Sequence, residues 1–339
     1  MNHTNEENSD ASDNASVNVY PIPEMVYIPI HEWEEEDIVI VIKDEAAWQS
    51  LNPKKLNWDI GVALDAPAPT EAEYKKLAKR CDGMGEILYA VGGGAAVDAA
   101  KFVAQEMDMP LICIPSALSM DAFWTWASGV REVDADGNRG VSYLEAVPPE
   151  IMLLDFELIK RAPKNMRTAG IIDVLSIATG CFDWQLAEQR GKNPTHEKFD
   201  PAVANIAKAL LQNALDCAAA AGRGDDDGLR ALVNALAMEV QLCNLAFHSR
   251  AQEGSEHHFA YCAEGLDGPA NRTHGEYVGP SILAMAEKQG QPVAPLRAAL
   301  EAAGVPLSAL SNSLIEQTLR ELPAYVRKHN LPYSIAWEL

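Results

Sequence analysis

The sequence predicts an α/β fold: a Rossmann-like N-terminal domain built on a parallel sheet, followed by an all-α C-terminal domain. Short aliphatic runs alternate with helix-period stretches in the first half, such runs stop near residue 163, and long helical patterns fill the remainder. The expected division is a disordered polar tail over 1–20, an α/β domain over 21–162 and a helical domain over 163–339.

In chain order, strands are expected at 38–42, 59–64, 87–91, 111–114 and 151–155, with helices at 71–81 and 95–107 between them. Near-continuous apolar strands alternating with helices argue a parallel sheet covered on both faces. From 163 onward the helical stretches are 166–189, 202–221, 228–247 and 313–322, the last stopping before Pro323. Gly191-Lys192-Asn193-Pro194 and Gly222-Arg223-Gly224-Asp225 mark turns between them.

Composition excludes several classes of partner. The 339 residues carry 27 basic and 49 acidic side chains, a net charge of -22, which repels nucleic acid phosphates and anionic membrane surfaces. The six cysteines include no C-x-x-C pair and suit a reducing compartment. The first residues lack the basic start and apolar centre of a signal peptide, and no stretch reaches the roughly 18 apolar residues of a membrane span. A cytoplasmic protein without nucleic-acid or membrane partners is expected.

The strand at 87–91 runs into Gly92-Gly93-Gly94 and then into a helix beginning Ala95-Ala96-Val97-Asp98. Glycines let backbone N–H groups approach a ligand, and a helix N-terminus favours an anion such as a pyrophosphate. A steric need for a tight strand-to-helix turn explains the same residues, and the spacing is not G-x-G-x-x-G. The next strand leads into Ser116-Ala117-Leu118-Ser119-Met120-Asp121. Loops at adjacent strand ends line one crevice in such sheets, although Ser and Asp there also serve as ordinary turn and cap residues. Asp44, at the end of the first strand, can accept from an adenosine ribose or simply form a turn.

In the second half, Asp173, His257 and His274 supply a carboxylate and two imidazoles, a sufficient set for a catalytic divalent ion with open positions. Solvated loop histidines are the alternative, and His258 competes with His257 for the role.

Taken in order, Gly92-Gly93-Gly94 with Asp98 and Lys101, Ser116 with Ser119 and Asp121, Gly170 with Asp173, Asp183-Trp184, Gly254-Ser255-Glu256-His257 and His274-Gly275-Glu276 resemble the iron- and zinc-containing polyol dehydrogenases. The likeness is closest to the sn-glycerol-1-phosphate dehydrogenase branch, and it implies a dehydroquinate-synthase-like fold. It also implies that Gly92, Gly93, Gly94, Ala95, Ala96 and Asp98 bind the dinucleotide, with Ser116 and Ser119 on its nicotinamide half and the Thr125 hydroxyl also in contact with the cofactor. By the same resemblance Asp121 and Asp173 are catalytic and meet substrate, Tyr261 stands where that branch has a substrate-binding histidine, and Asp173, His257 and His274 hold the metal. The expected reaction is NAD- or NADP-linked interconversion of a small polyol, such as sn-glycerol 1-phosphate, and its hydroxyketone, such as dihydroxyacetone phosphate. Asp44 favours NAD over NADP; the ligand set fits zinc or iron, and zinc is the expected ion. A phosphate on the substrate needs a basic handle, for which Lys101, Arg131 and Arg250 are the candidates by position. A homo-oligomer is expected. Two other classes compete: a cyclising lyase resembling dehydroquinate synthase, whose site needs a glutamate ligand and basic residues, and a non-catalytic relative of the fold.

Overall fold

The computed structural model describes residues 22–133, 139–268 and 272–339, so the expected tail over 1–20 lies outside the described residues. Eight strands form two sheets: β1 Glu24–Tyr27, β2 Val39–Lys43, β3 Ile60–Asp65, β4 Ile87–Gly92, β5 Leu111–Pro115, β6 Ala127–Val133, β7 Arg139–Glu145 and β8 Ile151–Leu154. In the main sheet the order is β1-β8-β5-β4-β2-β3, and every neighbouring pair is parallel.

Three helices serve this sheet: α1 Glu45–Leu51, α2 Glu71–Cys81 and α3 Gly94–Met107. Ala47 and Trp48 of α1 pack on one face with Val39, Val41, Tyr89 and Val91, while α2 and α3 pack on the other with Ile40, Ile42, Leu88 and Ala90. Strand residues are therefore apolar on both sides, and the sequence shows no alternation. The covering helix changes face between β2 and β4, which makes the carboxyl ends of those two strands the topological switch point where such sheets bind ligands.

Ten further helices follow: α4 Phe156–Lys160, α5 Lys164–Arg167, α6 Ile171–Leu175, α7 Ile177–Gln189, α8 Pro201–Arg223, α9 Asp226–Ala246, α10 Ser255–Asp267, α11 His274–Lys288, α12 Val293–Ala302 and α13 Asn312–Lys328. The single helix expected over 166–189 is instead α5, α6 and α7. A Cβ on Gly170, between the first two, would lie 2.8 Å from Met120 N and 3.0 Å from Leu118 O. Glycine thus lets α6 abut the loop after β5, with Gly170 N donating to Leu118 O at 2.8 Å. Helix α13 continues past Pro323 to Lys328, so the proline does not stop it.

The antiparallel β6–β7 hairpin was not among the expected elements. It lies over α3, where Ser128 Oγ donates to Asp98 O at 2.7 Å.

Candidate metal centre and cofactor cleft

Three elements bring the acidic and imidazole groups together. Helix α6 carries Asp173 inward, and its Oδ2 accepts from Asp121 N, in the loop after β5, at 2.8 Å. The first turn of α10 presents His257, and His274 is the first residue of α11. Asp173, His257 and His274 offer ligand atoms that all lie within 4.8 Å of one another. Asp173 Oδ1 is buried without a hydrogen-bond partner and faces His274 Nε2 at 3.4 Å. The two imidazole rings lie 5.4 Å apart, centroid to centroid.

The orientation of His257 is fixed from behind. Its Nδ1 meets Glu256 Oε1 at 2.8 Å, and the same oxygen accepts from Gly254 N at 2.7 Å. Metal-binding histidines typically use their second nitrogen in this way. Burial works against a charge on His257, but Glu256, Glu253 and Asp173 outweigh it and raise its pKa to about 9. His258 turns away, with Nδ1 3.2 Å from Ser334 Oγ, and burial lowers its pKa to about 4. An unpartnered buried carboxylate oxygen facing two imidazoles is a donor set suited to a divalent ion.

A cavity of about 560 Å³ opens onto this cluster, lined by Asp121, Asp173, His257 and His274 on the helical side and by Asp98 and Met120 on the sheet side. Burial, then the charges of Asp173 and Glu253, push the Asp121 carboxyl up to about 8, and its Oδ2 accepts from Gln252 Nε2 at 3.1 Å. Tyr261 lines the cavity too, donating to Glu253 Oε1 at 2.9 Å.

The cofactor candidates gather at the switch point. Gly92 ends β4, Gly93 caps α3, and Ala95 and Ala96 continue its first turn. Ser116 N donates to Gly92 O at 2.9 Å, and Ser119 Oγ lies 3.5 Å from where a Cβ on Gly93 would be. Met120 Sδ sits 2.0 Å from the Cβ position of Gly94, so one side chain covers the glycine turn and also lines the cavity. Gly92, Gly93 and Gly94 are not themselves part of the cavity lining, and Met120 stands between Gly94 and the cavity. Asp44 abuts Gly92, and its Oδ1 accepts from Ala47 N at 3.0 Å as the N-cap of α1.

Two expectations need correction. Lys101, a candidate phosphate handle, is wholly buried: its ammonium donates to Ala122 O at 2.7 Å, to Thr125 Oγ1 at 2.9 Å and to Ala127 O. It is a strut for the loop, and it engages the Thr125 hydroxyl that was expected to meet cofactor. Arg250, the second handle, stands outside the cavity lining and donates to Tyr333 O at 2.7 Å.

Sequence reasoning missed Glu239, Gln252, Glu253 and Tyr143. Glu239 on α9 is buried with neither carboxylate oxygen hydrogen-bonded, and with Asp121 and Asp173 it forms a second group of ligand atoms within 4.8 Å. Burial, then Asp121 and Asp173, raise its pKa well above the usual carboxylate range. The available signal was its place in the apolar stripe of α9, seven residues after Leu232 and three after Leu236.

The chain is similar to known proteins in sequence and in fold. Residues 37–163 match the model of the iron-containing alcohol dehydrogenase family. A glycerol-1-phosphate dehydrogenase [NAD(P)+] of Methanothrix thermoacetophila is 28% identical over 266 residues, covering 78% of this chain and 71% of that protein. The chain is a relative of the iron-containing alcohol dehydrogenases. The enzyme of the same name from Sulfolobus acidocaldarius is 31% identical over 241 residues, 71% of this chain and 65% of that one. Among solved structures, a probable glycerol dehydrogenase from Sinorhizobium meliloti superposes with a TM-score of 0.64 at 17% identity, over 94% of this chain and 93% of that one. Glycerol dehydrogenase from Schizosaccharomyces pombe gives 0.63 at 20% identity, over 91% and 82%. At these identities the solved structures speak for the fold. No helix among the described residues is long and apolar enough to cross a membrane.

Proposed function

We propose that this chain is a divalent-metal-dependent, NAD(P)-linked dehydrogenase that interconverts a small polyol and its hydroxyketone. The observation that carries the reading is the buried, unpartnered Asp173 Oδ1 that faces His274 and clusters with His257, in a cavity whose lining includes Met120, the side chain that covers Gly94. Asp173, His257 and His274 would hold the ion, and a carboxylate with two nitrogens suits zinc or iron(II) alike. Bound there, the ion would supply Lewis-acid polarisation of the substrate C–O bond, and the nicotinamide would exchange the hydride.

The remaining work falls to this chain's residues. Gly92, Gly93 and Gly94, with the first turn of α3 through Asp98, receive the dinucleotide. Ser116 and Ser119 flank its nicotinamide half, and Thr125 supports that loop through Lys101. Asp44, beside Gly92, favours NAD over NADP because a carboxylate repels a 2′-phosphate. Asp121, held by Gln252, orients the substrate hydroxyl and takes up or returns its proton. Tyr261 closes the substrate side. The relatives' name directs attention to sn-glycerol 1-phosphate as one member of the substrate class.

The test is hydride transfer itself. Zinc-loaded protein should oxidise NADH in the presence of a small hydroxyketone, and His274→Ala should keep its circular dichroism while losing both the ion and the activity. Full activity of His274→Ala after chelation and dialysis would end this reading.

A further inference from the structure

The charge of the admitted substrate follows from the wall of the cavity, and this inference rests on the function proposed above. A buried phosphate ester needs a cationic donor that is not already engaged, or the free N–H groups of a helix N-terminus. Among the described lining residues the single guanidinium is Arg131, and its Nε donates to Glu264 Oε1 at 2.8 Å. Among the described residues no lysine lines the cavity, and Lys101 is turned onto the carbonyls behind it. Burial lowers the pKa of His248, and its Nδ1 accepts from Arg250 N at 3.3 Å.

At the two helix N-termini that frame the metal ligands, this chain's own carboxylates take part of the donor set. At α10, Gly254 N donates to Glu256 Oε1 and Ser255 N to Asp183 Oδ2, each at 2.7 Å. At α11, Thr273 and Glu276 form a reciprocal capping box. Five carboxylates line the same space: Asp98, Asp121, Asp173, Glu253 and Glu264. Glu253 stands without a cationic side chain on its oxygens, which accept from Tyr261 and Ser249 hydroxyls at 2.9 and 2.6 Å.

We infer that the cavity selects an uncharged polyol or hydroxyketone and excludes its phosphate esters, through the Arg131–Glu264 pair and the acidic wall that Glu253 heads. The chain therefore departs in substrate charge from the relatives whose name carries a phosphate.

The experiment compares kcat/KM for dihydroxyacetone and dihydroxyacetone phosphate on the zinc-loaded full chain with NADH. The unphosphorylated ketone should lead by at least about tenfold, a 1.4 kcal/mol difference. A smaller lead, or preference for the phosphate, overturns the inference and leaves the proposed function standing. Glu264→Ala, or Glu264→Gln if alanine unfolds the protein, releases Arg131 and should move the ratio about tenfold toward the phosphate. An unmoved ratio refutes the electrostatic cause. If neither ketone is reduced, the proposed function fails, and calorimetry decides the inference by itself. Titrating sn-glycerol 1-phosphate into the metal-loaded protein should give no saturable binding up to about 10 mM, and saturable binding in that range contradicts it.

Discussion

Glu256→Ala isolates the support behind the metal site without touching a proposed ligand. In the intact protein Glu256 Oε1 accepts both from His257 Nδ1 at 2.8 Å and from Gly254 N at 2.7 Å. Removing a carboxylate that orients a ligating histidine typically lowers metal affinity about 10- to 100-fold, or about 1.4–2.7 kcal/mol. The buried Gly254 N–H also loses its acceptor, at a cost of about 1–3 kcal/mol in fold stability. Glu256→Gln keeps an oxygen able to accept both bonds and should recover most of each loss. Zinc affinity is read by competition with a chromophoric chelator, and stability by urea unfolding of the metal-free protein. Wild-type zinc affinity in Glu256→Ala, measured on a folded sample, would refute the claim that His257 is a ligand held by this carboxylate.

Other expectations follow from buried charges away from the ligand set. Lys101→Met removes the ammonium from four backbone or hydroxyl acceptors and leaves Asp98, 3.6 Å away, without this ion-pair partner. It should lower unfolding free energy by about 3–5 kcal/mol in urea titrations. Asp183 is buried and accepts from Ser255 N and Ile335 N, and burial outweighs these bonds to raise its pKa to about 6. Because the folded state holds this proton to higher pH than the unfolded one, stability from this group is lost as pH rises from about 4 to 6. The stability difference between wild type and Asp183→Asn should therefore shift by about 3 kcal/mol against wild type between pH 4 and pH 7, and a difference independent of pH would refute the assignment.

What the sequence revealed and what it concealed share one physical basis. The strands β2, β4 and β5 were legible because both their faces are buried, which forces unbroken aliphatic runs. The glycine turn was legible because Gly92-Gly93-Gly94 directly follows such a run. The hairpin was not, since β6 and β7 mix Ser128, Arg131 and Ser142 with apolar residues. Helices α10 and α11 escaped for a different reason: α10 buries Glu256, His257 and His258 where an apolar stripe would normally lie, and α11 contains Pro280. The function of the site hides the very pattern by which a helix is recognised. Lys101 shows the opposite error. A lysine three residues after Asp98 reads as a surface handle, and only the packing of the loop from Ala122 to Ala127 reveals it as a buried strut.

The central claim is that one divalent ion sits between Asp173, His257 and His274. Anomalous diffraction at the zinc edge from crystals of the metal-loaded protein tests it most directly. A single strong peak within about 2.0–2.2 Å of a carboxylate oxygen of Asp173 and a ring nitrogen of each histidine is expected. Such a peak centred instead among Asp121, Asp173 and Glu239, or elsewhere on the chain, would contradict the account.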